Sequence, residues 1–356
     1  MKPLRTGLTP ESREIAVFQN DLRDLGVGTT KEAVRNLLFL AERKYNRYDL
    51  YAPGETFPQR LVDWLSNFDA VDRNSAMDAV RELRFFNQNE MRALAAATLQ
   101  NVVTAIQSDG MSLSRASAIS YMDTLQSQTE MAVADSLFIA MADDVLFDFF
   151  RRNAQRQFPV LRRGNFVEYY KLNPEDVSDL EEYSRVFLLD QISGSSLSFL
   201  RREDENWKGK LPTFFEIWGG HVKSNEAKVH YLPFIMSTVA ERTLSSNLDP
   251  WNASANSGNS ITVTPTQMVP VASCLSTDGG SSVDETTRVA SLCDKYYHLF
   301  KENIHHKVGG GCKYGFGSAG LILVLYTNCP NDSLYLIWHK NNGWRPLFER
   351  VEHHRE

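Results

Sequence analysis

Val186-Phe187-Leu188-Leu189-Asp190-Gln191-Ile192-Ser193-Gly194-Ser195-Ser196 is the stretch that decides the fold of this 356-residue chain. Four apolar residues run into an acid, short enough for a strand buried on both faces of a parallel sheet. A polar turn with one glycine follows, and then Leu197–Glu203, whose pattern fits a helix. In open parallel sheets, ligands collect beyond the carboxyl ends of the strands. Gly194 would let backbone come close to a ligand. Amides at the start of a following helix, with its dipole, would attract an anion. The hydroxyls of Ser193, Ser195 and Ser196 can donate further hydrogen bonds to phosphate oxygens. Asp190 is placed to accept from ribose hydroxyls or to orient the shell of a Mg²⁺ ion. An ordinary strand-to-helix turn with Asp190 as cap uses the same residue types, and both readings stand at this point.

On either side, other short apolar runs alternate with helical patterns. Residues 136–141 (SLFIAM), 229–238 (VHYLPFIMST), 321–327 (LILVLYT) and 334–339 (LYLIWH) read as strands, and VLFDFFRRN as an amphipathic helix. Strands spaced by helices make an α/β protein with a mostly parallel sheet flanked by helices. The first ~125 residues instead show helical spacing, in EIAVFQNDLRDLGV, EAVRNLLFLAERKY and MRALAAATLQNVVTAI. Thr9 before Pro10, and Thr30, fit as helix caps. Ala52-Pro53-Gly54 and Asp109-Gly110 read as turns between these elements. The expected organisation is a helical N-terminal domain over 1–128 and an α/β domain over 129–356, with a Ser/Thr/Asn/Gly-rich loop between Leu244 and Glu285.

Bulk properties narrow the function. Composition is that of a globular protein, with 42% hydrophobic and 23% charged residues. A net charge of -6 argues against a dedicated duplex-binding protein but leaves room for a local basic pocket, for which Arg162, Arg163, Arg201 and Arg202 are candidates. No apolar run is long enough to span a bilayer, and the first residues lack the apolar segment of a secretory signal. Cys274, Cys293, Cys312 and Cys329 are too widely spaced for a disulfide scaffold or a zinc site. A cytoplasmic protein without a membrane partner is expected. Histidine pairs such as His305-His306 point different ways on a helix and make poor joint ligands. A Walker loop and a Gly-x-Ser-x-Gly elbow are both missing.

Three segments, in order, carry a family resemblance over about residues 136–350. The Asp190–Ser196 turn resembles the Asp-Asp-Phe-x-Gly-Ser-Gly turn of a phosphoribosyltransferase-like effector family of bacterial conflict systems. LFIAMADDVLFDFFRRN is similar to that family's first strand, acidic loop and helix. Tyr314-Gly315-Phe316-Gly317, then Asn328, Pro330, Asn331, Leu334, Trp338, Trp344, Pro346, Leu347 and Phe348, resemble its closing signature. The resemblance implies a type I phosphoribosyltransferase-like fold, whose enzymes exchange pyrophosphate at C1 of a phosphoribosyl group for a nitrogen nucleophile. It implies catalysis by Asp190 and Gln191, a 5-phosphate held by Ser193, Gly194, Ser195 and Ser196, and a pyrophosphate or Mg²⁺ loop at Asp143 and Asp144. It further implies an effector or toxin of an anti-phage defence system, acting on a phosphoribosyl compound or nucleotide, with a retron reverse transcriptase–nucleic-acid complex as partner.

Other readings stay open beside these. Gln191 occupies the place where phosphoribosyltransferases carry a second acid and cannot ionise, and the loop is about two residues shorter. A catalytically inactive nucleotide-sensing or partner-docking subunit is therefore the alternative function. Asp143 and Asp144 equally suit the start of a helix, where acids favour the dipole. Tyr314–Gly317 fits either a base-stacking lid or a tight packing turn, and Trp338 and Trp344 fit core positions.

Overall fold

A computed structural model describes residues 10–109, 118–142, 145–171, 183–224, 227–254, 261–271, 283–299, 313–340 and 343–351. They fall into two compact units, Met1–Gln88 with Val271–Glu356, and Asn89–Pro270. The boundary drawn at 128/129 falls inside a helix of the second unit.

The first unit opens with α1 (Pro10–Asp24), α2 (Lys31–Arg43), α3 (Phe57–Leu65) and α4 (Arg73–Arg81), followed by β1 (Arg84–Phe86). The Thr30 hydroxyl caps α2 by accepting from the Ala33 amide at 3.1 Å. Thr56 and Gln59 form a capping box on α3. Gly54 turns the chain before it with φ of 86°. The Thr9 cap lies outside the described residues.

The second unit holds α5 (Gln88–Ser108), α6 (Ala118–Ala134), β2 (Ser136–Ala140), α7 (Val145–Gln157), β3 (Phe166–Glu168) and β4 (Arg185–Ser193). A hairpin of β5 (Arg201–Glu203) and β6 (Asn206–Lys208) follows, then α8 (Lys210–Ser224), β7 (Lys228–Ser237), α9 (Thr238–Ala253), β8 (Ile261–Val263) and β9 (Gln267–Val269). The main sheet runs β3-β2-β4-β7-β8, with β9 also on β7, and every pairing is parallel. From β2 the chain steps outward to β3, and from β4 it steps the other way to β7. The order therefore reverses between β2 and β4, and the crevice beyond their carboxyl ends is the place where such sheets bind ligands.

Both faces are apolar. One packs Leu137, Ile139, Val186, Leu188, Val229 and Tyr231 against Leu211, Phe214 and Trp218 of α8. On the other, Phe166, Phe138, Phe187 and His230 are register partners across four strands, and their rings stack at 5.2, 5.3 and 5.0 Å.

Four expectations are corrected. Leu197–Glu203 is a turn and strand β5 rather than a helix. The Phe199 and Leu200 amides both donate back to the Ser196 carbonyl, and Arg202 then lies across from Trp207 in β6. Residues 244–285 are not one loop: α9 continues through Ala253 because Leu244, Leu248 and Trp251 bury at helical spacing, and β8 and β9 follow. The remaining two concern the first unit, which regains the chain with α10 (Val283–Tyr296), β10 (Leu323–Leu325) and α11 (Tyr335–Trp338). Of 321–327, only β10 is a strand, and it pairs with β1 instead of joining the main sheet. Residues 334–339 hold the short helix α11, flanked by Leu334 and His339, instead of a strand: the Leu336 carbonyl accepts from the Trp64 and Trp344 indoles, and the Ser333 carbonyl from Trp338. Trp338 and Trp344 are thus core residues, as expected. Cys293 and Cys329 are buried thiols outside any disulfide, and burial pushes the Cys329 thiol up to about 12.

His230 is 2% exposed, and its Nε2 lies 3.2 Å from Asp109 Oδ2. Burial lowers its pKa below the ordinary 6.5, against the opposing pull of Asp109. A depressed folded-state value means that the unfolded chain takes up the proton first, so stability falls as pH drops through about 6.5. Thermal melts should show Tm declining between about pH 7 and pH 5, and His230→Gln should flatten that decline. An unchanged slope in the variant would remove His230 as the cause.

Candidate functional site

Strand β4 delivers Asp190 to the reversal point between β2 and β4. Asp190 is 6% exposed, which an acid tolerates only with partners. Its Oδ2 accepts from the Tyr231 hydroxyl at 3.2 Å and lies 3.8 Å from Lys210 Nζ. The Tyr231 ring stacks on Phe199 at 3.9 Å, so the strand beside β4 fixes the phenol that orients the acid. On the other face of the sheet, Leu189 and Gln191 line a cavity of about 10 Å³ with Ala140, Phe147 and Phe234, enough for one water.

The turn after β4 is riveted to α9. Ser237 Oγ donates to the Gly194 carbonyl and accepts from the Ala240 amide at 2.9 Å. In return Ser196 Oγ donates to the Ala240 carbonyl at 3.0 Å. Its proton is then spent, so it accepts from Ser193 Oγ at 2.8 Å. The hydroxyls of Ser193 and Ser196 hold the turn together through these bonds. No helix begins at the turn, so the expected dipole is missing there.

The backbone offers something in their place. Ser196 adopts the left-handed conformation, with φ of 60°. Among the described residues, no acceptor pairs with the amides of Ser195, Ser196, Leu197 and Ser198, or with the Ser195 hydroxyl. Successive amides around a left-handed residue form an anion-binding concavity.

Lys210 escaped the sequence reading because it belongs to no recognisable motif. Three contacts fix its backbone: its amide donates to Ser198 O at 3.0 Å, the Leu211 amide to Phe199 O at 2.9 Å, and its carbonyl accepts from the Tyr169 hydroxyl at 3.2 Å. Gly209 makes that approach possible, with φ of 116° and no Cβ, which would sit 2.5 Å from Phe199 O. The glycine–lysine pair after the hairpin was the available signal.

Asp143 and Asp144 lie outside the described residues, between the end of β2 and the start of α7. Gln191 is partly buried and faces away from Asp190 by strand alternation. The described residues contain no group of three metal-ligating side chains. Asp190 would offer Mg²⁺ a single carboxylate, which would suit an ion held mainly by substrate phosphates and water. Arg201 and Arg202 lie in the hairpin, Arg201 paired with Glu203 at 2.6 Å and Arg202 over the Trp207 ring. In the first unit, Gly315 has φ of 86° and its Cβ would lie 2.3 Å from Asp332 O, so the Tyr314–Gly317 turn is a packing turn.

A protein-family profile, PRTase-CE, matches residues 61–350. The chain belongs to the PRTase-CE family. Searches of curated proteins and of solved structures returned no match. The family and the parallel α/β sheet together make this a phosphoribosyltransferase-like protein. No helix among the described residues is long and apolar enough to cross a membrane.

Gly209→Ala should be costly, because Cβ meets backbone at 2.5 Å in a conformation that alanine disfavours. A loss of about 2–3 kcal/mol is expected in urea unfolding. A variant as stable as the parent would show that the hairpin can shift away from Lys210 freely.

Proposed function

We propose that the protein binds a 5-phosphoribosyl compound or nucleotide at the carboxyl ends of β2 and β4 and acts on its C1, as a cytoplasmic effector of an anti-phage defence system. The observation carrying this reading is the row of unpaired turn amides beside a buried, oriented Asp190 at the sheet's reversal point. Family membership supports the phosphoribosyl part, and the resemblance to conflict-system effectors supports the defence part, with a retron complex as partner.

In this reading the amides of Ser195 to Ser198 and the Ser195 hydroxyl hold the 5-phosphate, and Ser193, Gly194 and Ser196 keep the turn in shape. Lys210 adds positive charge near the anion, and Asp190 accepts hydrogen bonds from ribose hydroxyls. Mg²⁺, when bound by Asp190 with Asp143 and Asp144, would neutralise pyrophosphate charge. The C1–oxygen bond breaks, its electron pair leaves with pyrophosphate, and a nitrogen lone pair forms the new bond to C1. The chain supplies position and electrostatics rather than a covalent nucleophile.

A second reading has a nucleotide-sensing or docking subunit without chemistry. Gln191, which cannot share charge with a metal, favours it.

Incubation with phosphoribosyl pyrophosphate, nucleotides and Mg²⁺, followed by mass spectrometry, separates the two. Product that falls about a hundredfold or more in Asp190→Asn, with an unchanged circular dichroism spectrum, is expected. Tight calorimetric binding without product would leave only the sensing subunit. Full activity in the variant would remove Asp190 from the site.

A further inference from the structure

The first unit contains a cleft that the proposed phosphoribosyl site does not use. It has a volume of about 1100 Å³ and is walled by α1, α2 and α3. Buried Ile15, Phe18 and Ala41 form its apolar floor. On the rim, Val17 is 54% and Phe39 57% exposed, large apolar side chains left in water. Charges flank them at helical spacing: Glu14 and Asp21 around Val17 on α1, and Arg35 and Glu42 around Phe39 on α2.

The balance of these charges is acidic. Glu11, Glu14, Asp21, Glu42 and Asp63 line the cleft, against Arg13 and Arg35. Asp63 is paired with Arg345 at 3.2 Å. The other four acids form no ion pair with a described residue. Both α1 and α2 precede residue 61, where the family match begins, and supply most of the cleft, while α3 contributes Val62 and Asp63 from within the matched region.

We infer that this cleft docks a basic amphipathic helix of a partner protein, its apolar stripe on Ile15, Val17, Phe18 and Phe39 and its lysines or arginines on Glu14, Asp21 and Glu42. An apolar floor with charged rims is the geometry in which helices lie in grooves, the stripe supplying affinity and the charges orientation and association rate.

Fluorescence anisotropy with a labelled Lys/Leu amphipathic peptide, measured on the full chain at low and high salt, tests this. Saturable binding that weakens with salt is expected, reduced about tenfold or more in both Val17→Asp/Phe39→Asp and Glu14→Lys/Glu42→Lys. A Glu/Leu peptide of the same pattern should not bind. All four positions are exposed, and matching thermal melts would show that the variants stay folded. Absent binding, or equal binding by the parent and both variants, overturns the proposal. So does light scattering that shows a parental dimer lost in Val17→Asp/Phe39→Asp, because a second copy then fills the cleft. Binding that appears only after removal of residues 1–9 overturns it as well, since the chain's own start would be the occupant.

Discussion

The parallel register of β2, β4 and β7 is the constraint from which the candidate site follows. Phe138 faces Phe187, Phe187 faces His230, and their rings stack along one face while aliphatic residues and Tyr231 fill the other. Strands buried on both faces cannot slip by a residue without moving every side chain to the wrong face. Locked register fixes where each strand ends. It brings Asp190 level with Pro233, two residues beyond Tyr231, whose hydroxyl therefore reaches the carboxylate.

The turn after β4 inherits that precision through serines. Ser237 ends β7, caps α9 and grips the Gly194 carbonyl, while Ser196 grips α9 in return. Three hydroxyls act as rivets, and backbone amides become the groups left for a ligand. Such an exchange is physically sensible. A serine hydroxyl rotates and must be ordered at an entropic cost, whereas an amide held by a turn already points one way.

The two ends of the sheet carry different chemistry. At the amino ends of β4 and β7, Arg185, Lys228 and His230 converge on Asp109, an ion-pair cluster under the stacked rings. At the carboxyl ends, one buried acid sits with a phenol and one ammonium beside unpaired amides. The first arrangement commits its one carboxylate to three basic groups of the protein itself. The second leaves capacity for an anion and for hydroxyl donors, which is why function is assigned there.

Much was legible in local pattern. Continuous apolar runs marked β2, β4 and β7, since a strand buried on both faces has no polar alternation to disguise it. Thr30 announced the start of α2, and Asp190 the end of the apolar part of β4. Other features were settled only in three dimensions. Leu334–His339 has strand composition but holds a one-turn helix, where the Leu336 carbonyl is taken by the Trp64 and Trp344 indoles. Leu197–Glu203 has helical spacing, yet the left-handed Ser196 and the tight Gly209 crossing bend it into a turn and hairpin. Lys210 became part of the site because that hairpin returns to Phe199. By itself the sequence determined which segments bury and where a strand runs into a Gly/Ser turn, since apolar periodicity and turn chemistry are local. The tertiary structure decided which serine hydroxyls are spent, which amides remain and which lysine joins Asp190, because hydrogen-bond partners are allotted only once distant backbone has come together.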